Sequence, residues 1–545
     1  MTEGSRRRLA GSLVGAAALI TAVTVLSRIL GFVRWVAQAG TVGYDAVGTA
    51  YASANTVPNV LFEVVAGGAL AGALVPLLAV PLARGLRAET DRTASAALTW
   101  ALVALAPVAL LVLVLAEPVA RALASDDPAT VELTATFLRI FALQIPLYGV
   151  GVVLSGVLQA QKRFFWPAFA PVLSTLVVLG AYGAFALTAD GRQGDPAALP
   201  DVAVAWLAWG TTAGVAAMSL PLLVPVRRSG VRLRPTLSFP DGVAARARRL
   251  AGAGVTALLA QQLAVVVTLR LAGTYGGTGT WPVFQYTQAV YLLPYAVLAV
   301  PLATSVFPRL AERAGDDDAR GFSSLAAGTT RAVATLAGLG AVALVAAAPA
   351  VAVAFGRVGR GDADVVAAMG PTLTAMAPGL VGFSVLFLTT RALYALERAR
   401  SAMLAGSLAW SVAAVASFGL ALTTTGSAPD APGTLLALGA GSTLGMTVGG
   451  VAALLALRRA LGARVLAGVV RTTAAVVAGG AAASFVGRAV TDALVGPGAT
   501  LGTAVGGGAV GALAAACVLA LVLAVVDRRT LRAALGRLGR GRVAS

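Results

Sequence analysis

Residues 499–526 read ATLGTAVGGGAVGALAAACVLALVLAVV, without one charged side chain. As a helix rising 1.5 Å per residue, this run exceeds the thickness of a hydrocarbon core of about 30 Å. Working back along the chain, comparable apolar runs lie near 10–36, 50–82, 93–116, 131–159, 164–188, 202–226 and 248–273. Others lie near 281–308, 328–354, 366–394, 402–424, 433–457 and 465–487. Of the 545 residues 58% are hydrophobic and 12% charged, about half the charged fraction of a soluble chain, with a mean hydropathy of +0.85. A transmembrane β-barrel would show short alternating segments, and these runs do not alternate. The expected fold is therefore all-α and integral to the membrane, with about fourteen spans.

The net charge of +18 would fit a nucleic-acid partner if the arginines formed one patch, but they follow the spans. Arg84, Arg87 and Arg92, then Lys162 and Arg163, then Arg227, Arg228, Arg232, Arg234, Arg246, Arg248 and Arg249 occupy the even-numbered links. Arg6 to Arg8 and Arg528 to Arg542 flank the two ends. The odd-numbered links hold Asp126, Asp127, Asp190, Asp195, Asp201, Asp362 and Asp430, with fewer arginines. The positive-inside rule then places both termini in the cytoplasm, the parity an even helix count requires, and leaves no charge pattern calling for nucleic acid. Arg6 to Arg8 before an apolar stretch mimic a signal peptide. The run continues past Ala17 into Arg28 without a cleavage site, so it is expected to stay as helix 1. With Cys517 alone and no histidine, an intrachain disulfide and histidine-based catalysis or metal binding are excluded. No phosphate loop or nucleotide motif appears, so the expectation is a non-enzyme without a cofactor.

Three pairs of segments recur at an offset of about 233 residues, as in transporters built from two repeats. Ala39-Gly40-Thr41-Val42-Gly43 returns as Ala272-Gly273-Thr274-Tyr275-Gly276, and Val75-Pro76 as Phe307-Pro308. Val157-Leu158-Gln159-Ala160-Gln161-Lys162-Arg163 returns as Ala392-Leu393-Tyr394-Ala395-Leu396-Glu397-Arg398. The offset equals six helices. It predicts two pseudosymmetric six-helix lobes, helices 1–6 in residues 1–230 and helices 7–12 in residues 231–460. Residues 461–545 then hold a terminal helix pair and a basic tail.

Charges inside a bilayer are costly unless they face a cavity or a partner, so intramembrane ionisable residues are the functional candidates. They are Arg28 and Arg34 in helix 1, Glu63 in helix 2 and Arg270 in helix 7. Arg139 can pair with Glu132 on its own helix, and Arg331 lies near enough to the membrane surface to snorkel. Arg28 and Arg34 stand six residues apart, about 240° around a straight helix. Gly31 between them permits a bend or local unwinding that would aim both into one cavity, where two guanidiniums can grip a diphosphate. The alternative is that both snorkel to opposite headgroup layers, and the cost of burial favours the cavity. Gln261 and Gln262 can reach sugar hydroxyls or bond across helices. Gly68-x-x-x-Gly72, Gly445-x-x-x-Gly449 and Gly507-x-x-x-Gly511 read as packing spacings, and Pro146, Pro294 and Pro378 as kinks in helices 4, 8 and 10.

The segment Ser27-Arg28-Ile29-Leu30-Gly31-Phe32-Val33-Arg34 resembles the helix 1 signature of the MurJ/MviN family of lipid II flippases. Asp45-Ala46, Pro58-Asn59, Gly156 to Phe164, Ala170-Pro171-Val172-Leu173 and Arg391 to Glu397 extend the resemblance over nearly the whole chain. It implies a flippase moving undecaprenyl-pyrophosphate-linked disaccharide pentapeptide from inner to outer leaflet in a bacterial plasma membrane. Its two lobes would alternate access around a cationic cavity, with a groove by the last two helices for the lipid tail. Arg28 and Arg34 would then hold the headgroup and Asp45 would gate or pair at the outer end of helix 1. Partners would be membrane lipids and cell-wall synthesis proteins.

The chain departs from that pattern at several positions. Trp35 stands where many members have Asp, Phe62 and Glu63 where they have an arginine pair, and Gly67 and Ala289 where they have glutamate and arginine. Glu63, one turn before Gly67, and Arg270, close to the repeat mate of Arg34, can compensate. Three rivals follow: a flippase for another polyprenyl-linked glycan, a drug or cation antiporter of related fold, and a non-transporting cell-wall scaffold. Antiporters of that class couple through intramembrane carboxylates, which arginines outnumber here.

Overall fold

The computed structural model describes residues 3–64, 71–123, 127–240, 255–424, 428–496, 498–528 and 530–532, with 243, 426 and 536. Every element among them is helical. Twelve described helices are long and apolar enough to cross a membrane, and a bent pair makes a thirteenth. The remaining expected span, 50–82, comprises Ala46–Glu63 and Ala71–Ala83, with residues 65–70 between them outside the described residues. Gly67 and Gly68 fall there, as do Arg246, Arg248 and Arg249 in the stretch before helix 7.

The chain forms two compact units, residues 1–262 and 263–544. The first contains α1 (Glu3–Thr41), α2 (Ala46–Glu63), α3 (Ala71–Ala83), α4 (Arg87–Val114), α5 (Ala116–Leu123) and α6 (Pro128–Phe141). It continues through α7 (Gln144–Ala160), α8 (Phe165–Thr188), α9 (Asp201–Ser219) and α10 (Leu223–Arg228). Tyr51, Phe137, Phe141, Tyr182, Phe185 and Leu207 fill one core, while Leu74, Leu78, Val153, Leu154, Val157 and Leu158 fill another.

Helix α11 (Val255–Leu271) carries the unit boundary. The second unit follows with α12 (Thr280–Pro294), α13 (Val300–Gly315), α14 (Ala319–Val358), α15 (Ala363–Ala367), α16 (Met369–Met376) and α17 (Gly379–Ala395). Then come α18 (Ala399–Thr424), α19 (Ala431–Leu461), α20 (Val469–Leu494) and α21 (Leu501–Val526). The terminal pair α20–α21 packs along α14 through Val342, Ala346, Val476, Ala483, Ala515 and Leu519. Leu513, Leu521 and Val525 face outward, as an apolar solvent requires.

The repeat seen in the sequence is carried into backbone geometry. At the end of α7 the Arg163 N–H donates to the Leu158 carbonyl at 2.8 Å, with Lys162 at φ 61°. At the end of α17 the Arg398 N–H donates to Leu393 at 2.8 Å, with Glu397 at φ 57°. A second pair of turns matches in the same way. Leu86 bonds Pro81 at 2.9 Å past Gly85 (φ 69°), and Asp318 bonds Arg313 at 3.0 Å past Asp317 (φ 55°). All four have the Schellman pattern, which satisfies last-turn carbonyls through a left-handed residue.

Each of the three prolines marks a disturbance. The helix breaks at Ala142–Leu143, just before Pro146, and a π-turn (Tyr295–Ala299) follows Pro294. Around Pro378 the segments 363–376 and 379–395 meet at 52°. There the Thr443 hydroxyl of α19 accepts from the Gly379 N–H (3.1 Å) and donates to the Ala375 carbonyl (2.6 Å). One hydroxyl thus replaces the helical bond that the bend removes.

Candidate functional site

Helix α1 runs through Gly31 without interruption, and a Cβ there would meet nothing within 4 Å. The local unwinding that Gly31 permits is therefore absent here, and six residues of continuous helix set the two arginines on different faces of α1. Arg28 is exposed, whereas Arg34 is partly buried against α8. The Arg34 guanidinium lies beside the Tyr182 hydroxyl and within electrostatic reach of Tyr51 and Tyr148.

A chain of buried polar groups extends from that contact. The Tyr182 hydroxyl donates to Gln38 Oε1 at 3.1 Å and stands 3.0 Å from the Tyr51 hydroxyl, which in turn lies 3.0 Å from Thr211 Oγ1. Phe137 and Phe141 meet the Tyr51 ring edge-on at 5.8 and 5.9 Å. The hydroxyls are thereby held by packed aromatic rings as well as by each other. Helices α1, α2, α8 and α9 thus converge on one arginine.

A second group adjoins it through Tyr148, which lies within electrostatic reach of both Arg34 and Glu63. Its hydroxyl donates to Asn59 Oδ1 (3.0 Å), Asn59 Nδ2 donates to the Asn55 carbonyl (2.8 Å), and its ring lies 4.4 Å from that of Phe62. The carboxamides of Gln38 and Asn59 and the phenols of Tyr51, Tyr148 and Tyr182 therefore form a polar cluster around Arg34 that reaches Glu63, the one acid of α2. Such groups can hydrogen-bond sugar hydroxyls and diphosphate oxygens without adding net charge.

The remaining candidates have surroundings of their own. Asp45 occupies the N-cap position of α2 and faces the loop after α8, where a Cβ on Gly194 would lie 3.2 Å from its Oδ2. Gln262 is buried on α11, and Arg270 is exposed in the last turn of the same helix. Arg139 does not pair with Glu132, although both line one recess with Glu117 and Arg121. Arg331 does not snorkel freely: it packs against Gly468, whose added Cβ would come within 3.2 Å of its guanidinium, and within electrostatic reach of Asp527.

Comparison with known proteins bears on what such a site serves. The family model described as lipid II flippase MurJ matches residues 38–496, most of the chain. The chain belongs to the MurJ family. The lipid II flippase MurJ of Burkholderia cenocepacia is 28% identical over 69% of this chain and 72% of its own length. A probable lipid II flippase MurJ of Rhizobium meliloti is 27% identical over 55% of each chain. Among solved structures, a lipid II flippase MurJ in an inward closed conformation superposes with a TM-score of 0.74 at 18% identity, covering 94% of this chain and all of that one. An inward-facing MATE-family transporter of the MOP superfamily gives 0.66 at 14% identity, covering 81% and 98%. At such identity these two show the shared fold.

The MurJ-family chain is a multi-pass membrane protein and a transporter rather than an enzyme. Reading the sequence for charges found Arg34 but missed its polar surroundings. Two signals were available: Gln38 lies one turn beyond Arg34, and Tyr51, Asn55, Asn59 and Glu63 recur every fourth residue as a polar stripe on an apolar helix. The Arg391 guanidinium, one turn beyond Phe387, sits 3.5 Å from the centre of that ring.

Proposed function

We propose that this chain moves lipid II, the undecaprenyl-pyrophosphate-linked disaccharide pentapeptide, from the inner to the outer leaflet by alternating access. Family membership supports the substrate class, and the seating of Arg34 supports the recognition chemistry. A guanidinium carries five N–H donors, and Arg34 beside Tyr182 keeps donors for an anionic acceptor. Arg28, six residues earlier on α1, meets the same headgroup about 9 Å further along the axis. Arg270 serves as a further substrate-binding cation, and Gln262 bonds sugar hydroxyls. Glu63 and Asp45 pair with the arginines or gate access. Both termini are cytoplasmic, and proteins of cell-wall synthesis receive the exported lipid.

The observation that carries this reading is the fixed Arg34 amid the polar groups of α1, α2, α8 and α9. The test is replacement of a bacterium's own flippase. In depleted cells carrying this chain, lipid II should reach the outer leaflet; in cells carrying Arg34→Ala it should accumulate on the inner one. Accumulation of a different polyprenyl-linked glycan would replace lipid II as the substrate.

A further inference from the structure

The segment after α10, residues 231–239, takes no regular secondary structure yet is closely held. It runs extended along one face of α4. The Arg232 N–H donates to Asp91 Oδ1 (3.0 Å), the Arg234 N–H to Ser95 Oγ (3.0 Å) and the Thr236 N–H to Thr99 Oγ1 (3.1 Å). Donors of α4 return the contacts: Arg92 Nε to the Ser238 carbonyl (3.2 Å) and Trp100 Nε1 to the Leu237 carbonyl (2.9 Å). Residues 91, 95 and 99 are one helical turn apart, and 232, 234 and 236 alternate along the strap. The 3.6 and 2.0 periodicities thus register against each other.

Registration fixes where the side chains go. Alternate residues of an extended chain project to the same side, and Arg232, Arg234 and Thr236 all line one recess of about 340 Å³ with Ala88, Asp91, Arg92 and Ser95. Three of its lining residues are arginines, Arg92, Arg232 and Arg234, and Arg92 also donates through Nη2 to Ser238 Oγ (2.9 Å). None forms an ion pair among the described residues, and the one acid, Asp91, accepts from a backbone N–H. The recess lies beside the first turns of the span Arg87–Val114 and just past the end of the span Asp201–Arg228, the depth of lipid headgroups. Scattered snorkelling arginines would sit on mobile side chains around the rim, whereas here the backbone holding two of them is fixed by five hydrogen bonds.

We propose that this recess is a binding site for the phosphate of an anionic phospholipid headgroup, held by Arg92, Arg232 and Arg234 with the Thr236 hydroxyl. Forked guanidiniums match phosphate oxygens, and a lipid seated there clamps the strap to α4. The same phosphate chemistry is present in the diphosphate of the transported lipid, so the test separates the two sources.

The experiment uses the full chain purified in neutral detergent, with affinities for short-chain phosphatidylglycerol, phosphatidylcholine and undecaprenyl pyrophosphate measured by native mass spectrometry. Phosphatidylglycerol should bind at least tenfold more tightly than phosphatidylcholine. The variant Arg232→Gln/Arg234→Gln should weaken it about thirtyfold, which corresponds to about 1 kcal/mol for each guanidinium at an anionic surface. It keeps both backbone N–H bonds, so an unchanged melting temperature will show that the fold is intact. The control Arg398→Gln/Arg400→Gln removes the same charge from exposed positions elsewhere and should change the affinity less than twofold. Equal weakening by both variants would show diffuse surface attraction and overturn the site. So would equal binding of the two phospholipids, or a loss confined to undecaprenyl pyrophosphate.

Discussion

Arg34 shows how one residue acquires a role from its neighbours. In isolation it is an intramembrane charge; with the Tyr182 phenol beside it and Gln38 behind the phenol it becomes a donor in a polar setting. Arg34→Ala should abolish export at normal protein level, measured by appearance of lipid II in the outer leaflet. Arg34→Lys should be impaired, because an ammonium keeps the charge but loses the planar fork. Tyr182→Phe should cost roughly 2 kcal/mol where a charged donor loses its polar neighbour. That loss should shrink in an Arg34→Ala background, a coupling read from a double-mutant cycle of denaturation midpoints. Full additivity of the two changes would show that the phenol and the guanidinium are uncoupled. Arg34 was legible as an intramembrane charge, but the phenols around it were not, because tyrosine in an apolar helix reads as core until a partner is known.

Helices here are joined by devices that only contact reveals. Pro378 was legible as a kink; the hydroxyl that stabilises the kink comes from Thr443, 65 residues later on another helix. Thr443→Val keeps the shape and removes the bond, leaving the Gly379 N–H and the Ala375 carbonyl without that partner. A loss of about 1 to 3 kcal/mol is expected, with Thr443→Ser close to neutral, in a chemical or thermal unfolding series. The glycine spacings resolve into packing in the same way. A Cβ on Gly445 would stand 2.4 Å from the Ala409 carbonyl, and one on Gly449 2.3 Å from Ala409 Cβ, so α18 and α19 touch backbone to backbone. Gly445→Leu should therefore separate these helices and destabilise the chain by ~2 kcal/mol or more, seen as a lowered midpoint. An unchanged midpoint would mean the pair tolerates separation.

At the scale of the molecule, the arginine bias sets a testable topology. In a Cys517→Ser background, an impermeant maleimide applied to intact cells should label Arg192→Cys and leave Ser545→Cys unlabelled until the cells are opened. The reverse pattern would invert every leaflet assignment. Hydropathy alone determined the all-helical class and put an expected span on each of thirteen candidate spans, the bent pair counted as one, with some ends displaced by seven to twelve residues, because each helix must satisfy its own backbone in lipid whatever its neighbours are. The repeat was also legible, since Lys162-Arg163 and Glu397-Arg398 preserve a turn that demands a left-handed residue. Tertiary structure alone decided which polar groups meet. The contacts of Tyr51 with Tyr182 and Thr211, of Thr443 with Gly379, and of the 231–239 strap with α4 join residues 64 to 160 apart in sequence. Local periodicity tells which face of a helix is polar, but the partner opposite that face is fixed only when distant helices pack.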